Sequence, residues 1–396
     1  MKIGLVSGEF PPLEGGVGAF TQELAQALHA DGHDVHVITS RNTRPENAEK
    51  SYRTRNDPVD LQFAQLHPRI ERWRWPSMAT IVDIVLRHEL EVVNIQYQAA
   101  AYNMKSPAIN FLPWRMRGIS KTVVTFHDLR VPYLFPRAGP LRKSAVRFMA
   151  KRATGVITTN VGDYETLAAE IDTPLTQIPI GSNIKTYTPH HIEIAEAREQ
   201  LNLAVGDHLI GYFGFLNKSK GADTLLQALS TLDERFHLVF IGGQTGASDA
   251  TNIDFLEKIK ALAAELGLSE RVHWTGFLSN ARVSTFLHAA DMFVMPYQDG
   301  ASLRRGTLMA VIAHGRPLIT TFPLEPTPEL VHGENVWLVP AEDVSSLSES
   351  VETLAGDAEL RLKLGAGASR SAELFTWDRI AASTAAFFAE LPEPKS

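Results

Sequence analysis

Two adjacent arginines, Arg304 and Arg305, lie between a predicted strand and a predicted helix. The apolar run Met292–Met295 predicts a buried strand before them, and the apolar segment Leu308–Ala313 predicts a short helix after them. A helix start offers unpaired N–H groups and the positive end of the helix dipole. Guanidinium groups bind phosphate oxygens two at a time. The spacing therefore predicts half of a diphosphate site, in which Gly306 admits a close ligand and Thr307 caps the helix.

A second loop of the same half has a related composition. A predicted strand over Leu209–Phe213 leads into the segment from Gly214 to Gly221, and a predicted helix follows. Lys220 stands just before that helix, where its ammonium group could reach a phosphate. The alternative is a solvated lysine in an ordinary loop.

The chain begins with a strand that runs into a glycine-rich turn. The turn contains Pro11 and Pro12, followed by Gly15, Gly16, Val17 and Gly18 and then a predicted helix. Glycines between a strand and a helix allow the backbone to approach phosphate or sugar oxygens closely. A tight turn without a ligand would require glycine as well, so both interpretations remain open.

His127 and Asp128 follow a predicted strand over Thr122–Phe126. A histidine at the carboxyl end of a strand can donate a hydrogen bond to an oxyanion or a sugar hydroxyl. Alternatively, local hydrogen bonds fix it for structural reasons. Asp128 either orients the histidine or caps the next segment.

The sequence predicts no metal and no cofactor at a reactive site. It contains no cysteine and no Asp-x-Asp, which removes thiolate ligands and the obvious carboxylate pair for a nucleotide-bound metal. The histidine pairs His33/His36 and His190/His191 lack carboxylates at a useful spacing. We therefore interpret both pairs as surface or structural residues.

The 396 residues exceed one ordinary core and predict two domains. Strands and helices alternate in both halves, which is typical of doubly wound α/β units. The polar segment from Ile184 to Gly206 is a predicted linker. We place an N-terminal domain at residues 1–186, a C-terminal domain at 187–376 and a last helix at 377–396 that crosses back to the first domain.

Composition bounds the class of protein further. The net charge is −7 and 44% of residues are hydrophobic, which is ordinary for a globular protein. The first residues read as a strand interrupted by Glu9, Pro11 and Pro12, not as a signal peptide. No apolar run approaches the roughly 20 residues of a membrane span. These features predict a cytoplasmic protein.

The segment from Tyr102 to Arg152 is strongly basic, with 11 Lys and Arg residues and one acid, Asp128. Such a block suits an anionic partner. Within it, Leu141, Ala145 and Met149 share a helical stripe surrounded by basic residues. The helix could lie on the anionic inner face of a membrane, next to a lipid-linked acceptor. It could equally be a domain-surface helix whose stripe packs inward. No nucleic-acid partner is expected.

Taken in order, the motifs resemble those of the retaining glycosyltransferases of family 4, which have the GT-B architecture. The resemblance covers nearly the whole chain. It rests on the opening Pro-Pro and glycine turn, Phe126-His127-Asp128, the segment from Gly214 to Gly221, Thr275-Gly276-Phe277, the run from Ala290 to Pro296, Gly315-Arg316-Pro317 and Pro328-Glu329-Leu330.

The resemblance implies two Rossmann-like domains that face each other across a cleft. The first would bind the acceptor and the second a nucleotide-sugar, whose sugar moves with retention of configuration and without a metal. It implies catalytic roles for His127 and Asp128. The donor-binding residues, including those inferred from the loops above, are Gly16, Val17, Lys220, Gly221, Gly276, Phe277, Leu278, Asp299, Ser302, Arg304, Arg305, Gly306, Thr307 and Glu329.

Two motifs depart from the family pattern. Phe215 stands where the family usually has an arginine, and Ser302 and Ala310 stand where it has a Glu-x7-Glu pair. Asp299 could replace the first glutamate if the loop carries an insertion. We hypothesise that Arg304 and Arg305, with Lys220, replace the missing arginine. The alternative is that both arginines form surface ion pairs.

The sequence thus predicts a hexosyltransferase, with UDP-sugar the favoured donor, that acts in polysaccharide or glycolipid assembly. A non-catalytic subunit that binds nucleotide-sugars is the alternative from another class, because the glutamate pair is missing. A nucleotide-sugar epimerase of the same fold is a further alternative.

Overall fold

The structure is a computed structural model that describes residues 1–13, 15–43, 57–243 and 250–394; the side chains of residues 250–253 are not described. The chain divides into two compact units, Met1–Gly181 with Thr376–Ser396, and Ser182–Phe375. The division falls five residues before the position expected from the sequence, 186.

Unit 1 (Met1–Gly181 with Thr376–Ser396) contains a sheet with the order β3-β4-β2-β1-β5-β6-β7-β8 within its described residues. All pairs are parallel except β3 with β4. The strands are β1 Lys2–Ser7, β2 Asp34–Ser40, β3 Val59–Asp60, β4 Gln65–Ile70, β5 Val92–Tyr97, β6 Lys121–Phe126, β7 Gly155–Thr158 and β8 Leu175–Gln177. The helices between them are α1 Gly16–Ala30, α2 Trp75–His88, α3 Leu112–Arg115, α4 Leu141–Arg152 and α5 Val161–Ala168.

Unit 2 (Ser182–Phe375) contains a parallel sheet with the order β11-β10-β9-β12-β13-β14 within its described residues. The strands are β9 His208–Phe213, β10 Phe236–Ile241, β11 Val272–Trp274, β12 Met292–Met295, β13 Leu318–Thr321 and β14 Trp337–Val339. Its helices are α6 His191–Gln200, α7 Ala222–Thr231, α8 Ala250–Glu265, α9 Asn280–Ala289, α10 Gly306–Ala313, α11 Val344–Gly356 and α12 Ala358–Ala372.

The last helix, α13 (Trp377–Glu390), belongs to unit 1 and packs on α1. Ile380, Ala381 and Phe388 are buried on its inner face, which is the apolar stripe that the sequence shows. The Trp377 and Phe20 rings meet edge to face with centroids 5.2 Å apart. The predicted return of the C-terminal helix to the first domain is therefore confirmed.

The predicted fold class, two doubly wound α/β units, is confirmed. The central strands are buried on both faces, so they read as short continuous apolar runs that are easy to find in a sequence. The predicted linker from Ile184 to Gly206 contains α6 and lies within unit 2. That helix buries little beyond Ala197, so it lacks the apolar periodicity that would have revealed it.

Helix α4 packs part of its apolar stripe inward. Ala145 and Met149 are buried, whereas Leu141 at the helix start is exposed. The basic side chains make local contacts: Arg147 forms an ion pair with Glu170. None of the helices in the described ranges is long and apolar enough to cross a membrane.

Candidate functional site

In unit 2, the loop after β9 packs closely against the segment that follows β12. Gly214 has a φ of +123°, and a Cβ atom there would lie 2.8 Å from Cγ2 of Thr307. Gly221 has a φ of +68°, and a Cβ atom there would lie 1.9 Å from the backbone oxygen of Pro296. Both positions require glycine for conformation and for space. The two loops that the sequence singled out therefore lie side by side at the carboxyl ends of β9 and β12.

Arg305 points into this region. Its guanidinium carbon lies 3.9 Å from the centroid of the fully buried Tyr297 ring, and it forms an ion pair with Asp299. Only 20% of the arginine side chain is exposed, and its Nε has no hydrogen-bond partner. A buried guanidinium with an unsatisfied N–H can accept a further anionic partner.

Lys220 adds a second cation. Its Nζ donates a hydrogen bond to the backbone oxygen of Phe215 at 2.7 Å. Burial and, to a smaller extent, the charge of Arg305 lower the pKa of Lys220 to about 8, against the opposing effect of Asp299. A buried ammonium group with a second cation beside it is stabilised by a nearby anion. The local environment of Lys220 and Arg305 therefore favours an added anion.

Helix α10 begins beside these cations without a side-chain cap. Its N-cap residue is Arg305, and the helix starts at Gly306. The prediction that Thr307 caps the helix is wrong, because Thr307 already lies within the first turn. Arg304 instead folds back on its own loop, where its backbone N–H and its Nε donate to Oγ of Ser302 at 3.4 and 3.5 Å.

The structure thus brings Lys220, Gly221, Asp299, Arg305 and Thr307 to one place. Arg305 has features of both alternatives raised by the sequence, because it has an ion-pair partner and yet lies largely buried rather than on the surface. Phe215 supplies no charge where the family has an arginine: the residue is 41% exposed, and its ring lies over Gly243.

Four more predicted donor residues lie in two further loops of unit 2: Gly276, Phe277, Leu278 and Glu329. Gly276 has a φ of +68° and pairs with Gly242 in an isolated bridge. Phe277 is 84% exposed, so it has a large apolar surface open to a ligand. Glu329 is partly buried, and its backbone oxygen accepts a hydrogen bond from Nδ2 of Asn335 at 2.7 Å.

In unit 1, His127 lies just past the carboxyl end of β6. Its Nε2 is 3.0 Å from Oε1 of Gln96, and its ring meets Phe20 edge to face with centroids 4.7 Å apart. Burial lowers its pKa to about 4, so the imidazole is neutral at neutral pH.

The hydrogen bonds behind His127 decide which nitrogen carries its proton. The amide nitrogen of Gln96 donates to Oδ1 of Asn94, and Nδ2 of Asn94 donates to Oγ1 of Thr125 at 2.9 Å. Oε1 of Gln96 is therefore left as an acceptor, so Nε2 of His127 is the donor. Nδ1 keeps its lone pair, which makes it an acceptor for a hydroxyl group. The sequence predicted a donating histidine instead.

Asp128 does not orient His127. Its Oδ2 accepts from Nε2 of Gln98 at 3.1 Å, and its Oδ1 accepts from the backbone N–H of Arg130 at 3.1 Å. The second bond closes a local turn. Of the two roles left open for Asp128, the structure supports the local one and gives the orienting role to Gln96.

The glycine-rich turn already holds a carboxylate. Oε1 of Glu9 accepts hydrogen bonds from the N–H groups of Val17 and Gly18 at 3.1 and 3.3 Å, at the start of α1. Burial raises the pKa of Glu9, and these two bonds oppose that rise. A Cβ atom on Gly16 would meet nothing within 4 Å, so space does not require glycine there. A ligand phosphate would have to share the N–H of Val17 with Glu9.

Three residues at these sites, Glu9, Gln96 and Tyr297, were not found from the sequence. For Gln96 there was a usable signal, since Asn94 and Gln96 are polar residues within the otherwise apolar strand β5. Glu9 and Tyr297 carried no comparable signal.

Comparisons with known proteins assign the family. Residues 15–181 match the family model described as "Glycosyl transferase 4-like domain", and residues 207–357 match "Glycosyl transferases group 1". The chain belongs to the GT-B glycosyltransferases. The two matches cover most of both α/β units and agree with the family that the motifs resemble.

Curated relatives of this glycosyltransferase include two D-inositol 3-phosphate glycosyltransferases. The relative from Xylanimonas cellulosilytica is 28% identical over 218 residues, which cover 54% of this chain and 50% of the relative. The relative from Jonesia denitrificans is 26% identical over 410 residues, which cover 94% and 91%. The chain spans about half the length of several of the curated relatives it matches.

Two solved structures share the GT-B fold over nearly their whole length. Sucrose-phosphate synthase from Thermosynechococcus elongatus superposes with a TM-score of 0.75 at 20% identity, over 98% of each chain. HepE from Anabaena, in complex with UDP and glucose, superposes with a TM-score of 0.74 at 17% identity, over 99% of this chain and 100% of HepE. At this identity the likeness shows the fold.

Proposed function

We propose that this glycosyltransferase moves a hexose from a UDP-sugar to an acceptor hydroxyl with retention of configuration and without a metal. The observation that carries the proposal is the placement of Lys220 and Arg305 beside the uncapped start of α10. Two cations, a helix dipole and an unsatisfied guanidinium N–H suit the pyrophosphate of an activated sugar. UDP is favoured because HepE was solved with UDP and glucose.

The proposed mechanism consists of positioning and charge stabilisation. As the bond between the sugar and the diphosphate breaks, negative charge grows on the diphosphate, where Lys220, Arg305 and the first turn of α10 would stabilise it. The departing diphosphate would help remove the proton of the acceptor hydroxyl. Nδ1 of His127 would accept a hydrogen bond from a sugar hydroxyl and so fix the sugar.

The acceptor is proposed to be a hydroxyl of a glycan or of a lipid-linked saccharide. Unit 1 displays basic residues together with exposed aromatic and apolar side chains, among them Trp114, Phe135 and Leu141. Exposed aromatic side chains among Lys and Arg suit the interface of an anionic membrane. We therefore propose peripheral contact through residues 102–152, on the cytoplasmic face.

Donor hydrolysis tests the proposed reaction. The protein is incubated with a panel of nucleotide-sugars, and the products are followed by ¹H NMR. A retaining transferase should slowly release nucleotide diphosphate and sugar with the anomeric configuration of the donor. An isomeric donor would indicate an epimerase. A rise in melting temperature without any product would indicate a non-catalytic binding subunit, which is the alternative that the missing glutamate pair favours.

Liposome sedimentation tests the membrane contact. Vesicles with anionic lipid should co-sediment the protein at low salt, and neutral vesicles should not. Because Trp114 is half-exposed, Trp114→Ala should weaken co-sedimentation without loss of the fold. Absence of binding to anionic vesicles at low salt would contradict the membrane proposal.

A further inference from the structure

Three histidines from separate elements of unit 1 meet at one point. His36 lies on β2, His67 on β4, and His88 is the last residue of α2. One ring nitrogen of each lies within 4.8 Å of the others. We propose that these three imidazoles bind a divalent transition-metal ion, with Zn²⁺ the best match, as a structural site separate from the transfer reaction.

The distances suit a tetrahedral ion. Nδ1 of His36 and Nε2 of His67 lie 2.9 Å apart, while two nitrogens on one zinc lie about 3.3 Å apart. The ring of His88 completes the group, with centroid distances of 4.8 Å to His36 and 4.7 Å to His67. His88 is partly exposed, so water can supply the fourth ligand. Small side-chain shifts would therefore convert the present hydrogen bond into two metal bonds.

A carboxylate stands behind the first imidazole. Oδ1 of Asp34 lies 3.4 Å from Nε2 of His36, the nitrogen that points away from His67. This is the arrangement in which a carboxylate fixes the tautomer of a metal-binding histidine and increases its basicity. It leaves Nδ1 of His36 with its lone pair directed at the centre of the group.

Carboxylates offset the positive charges near this group. Lys2, Arg69 and Arg87 act on this group electrostatically. Lys2 forms an ion pair with Glu89, and Arg69 and Arg87 both pair with Asp83. Because each nearby cation has a carboxylate partner, their charge does not exclude a metal ion.

The position of the group indicates a structural role. His36 and His67 are each the third residue of their strands, and His88 precedes β5, so the group lies toward the amino ends of the parallel strands. His127 follows the carboxyl end of β6, so it lies at the opposite ends of the strands of the same sheet. An ion bound by the three histidines would join β2, β4 and the end of α2, which are elements distant in sequence.

Unit 2 contains a matched pair that lacks the third ligand. Nδ1 of His237 lies 3.2 Å from Nε2 of His273, and Nε2 of His237 lies 3.5 Å from Oδ2 of Asp207. The pair lies on two neighbouring strands, as His36 and His67 do. Within the described residues, no third His, Asp or Glu ligand atom completes this pair as His88 completes the first. His273 therefore provides an internal control for the contribution of His88.

Co²⁺ titration of the metal-free protein, with any affinity tag removed, tests the proposal. The wild type should bind one Co²⁺ with the visible absorption of a tetrahedral ion, and Zn²⁺ should displace it. His88→Ala should lose this absorption, and His88→Gln serves if the alanine variant does not fold. His273→Ala should bind Co²⁺ as the wild type does. Zn²⁺ at a hundredfold excess over its Kd should raise the Tm of the wild type by about 5 °C.

Two results would overturn the proposal. One is the absence of stoichiometric Co²⁺ and Zn²⁺ binding by the wild type. The other is binding by a folded His88 variant that equals binding by the wild type. Either result would leave the contact between His36 and His67 as a buried hydrogen bond, as the contact between His237 and His273 is.

Discussion

The guanidinium carbon of Arg305 lies 3.9 Å from the centroid of the Tyr297 ring, so the arginine stacks on a buried aromatic face. The ring is fully buried and Asp299 holds the other side of the guanidinium, so the cation is in place before any ligand arrives. An arginine that is already ordered loses less side-chain entropy when it binds a phosphate. This arrangement connects the unusual Arg304-Arg305 sequence to diphosphate binding.

Two glycine-to-alanine substitutions test whether the loop after β9 packs closely on Pro296. Gly221→Ala should lower the stability by about 3 kcal/mol, because it combines a positive φ with a clash against the backbone oxygen of Pro296. Gly276→Ala has the same φ of +68° but an open space, and should cost only about 1 kcal/mol. Calorimetric melting of both variants measures the difference. Equal losses would contradict the close packing of Gly221 on Pro296.

The lowered pKa of Lys220 predicts a pH-dependent affinity for the diphosphate. A lysine with a pKa of about 8 is charged below pH 8 and loses its charge as the pH rises through 8. UDP should therefore bind about tenfold more weakly at pH 9 than at pH 7. Lys220→Arg keeps its charge throughout this range and should remove most of the decline. Calorimetric titration at several pH values measures the affinity for UDP. A wild-type affinity that does not change with pH would refute the role of Lys220.

Gln96 should control the protonation of His127. In the wild type the pKa of His127 is about 4, so the rate should not report its titration between pH 5 and 8. Gln96→Glu places a carboxylate beside Nε2, raises the pKa of His127 and should bring an acidic limb into the pH profile of kcat/KM. Gln98→Glu, beside Asp128, is the control and should leave the profile flat. A Gln96→Glu profile identical to the wild type would show that Gln96 does not set the proton on His127.

The folded protein should be less stable with an ionised Glu9 at the start of α1 than with a neutral side chain at that position. Its folded pKa is raised by burial, so the folded state holds the proton more tightly and the cost of ionisation grows as the pH rises above 4.5. Glu9→Gln should therefore melt higher than the wild type at pH 7.5, and the difference should shrink near pH 4.5. Glu9→Ala removes the acceptor of Val17 and Gly18 and should cost about 1 kcal/mol. A Glu9→Gln variant that melts lower at pH 7.5 would contradict the assigned balance.

Much of the fold could be predicted from the sequence because parallel strands buried on both faces are short apolar runs. Strand β12 has the predicted bounds, and β6 and β9 each begin one residue before the predicted start. Strands at or near the sheet edges were missed: β3 has two residues, β4 contains a proline, and β8 is only partly buried. Such strands carry neither an apolar run nor a strict alternation.

Site residues that belong to sequence motifs could be predicted. Site residues whose role depends on a contact between distant parts of the chain could not. The sequence placed Lys220 and Arg305 in loops that follow neighbouring strands, and the topology brings those loops together. It could not show that Gln96 orients His127, because that contact joins residues 31 positions apart on two strands. The group of His36, His67 and His88 has no motif spacing, so the sequence left His36 as either a surface or a structural residue. The structure shows that His36 is buried.

The central claim is that the pyrophosphate of the donor binds between Lys220 and Arg305, beside the start of α10. Calorimetric titration of UDP and of uridine into the wild type and an Arg304→Ala/Arg305→Ala variant tests it most directly, with Arg282→Ala as an arginine control on α9. We predict that the double variant binds UDP about ten- to a hundredfold more weakly. Its affinity for uridine, and both affinities of the control, should stay unchanged. Equal losses for UDP and uridine, or no loss for either, would contradict the account.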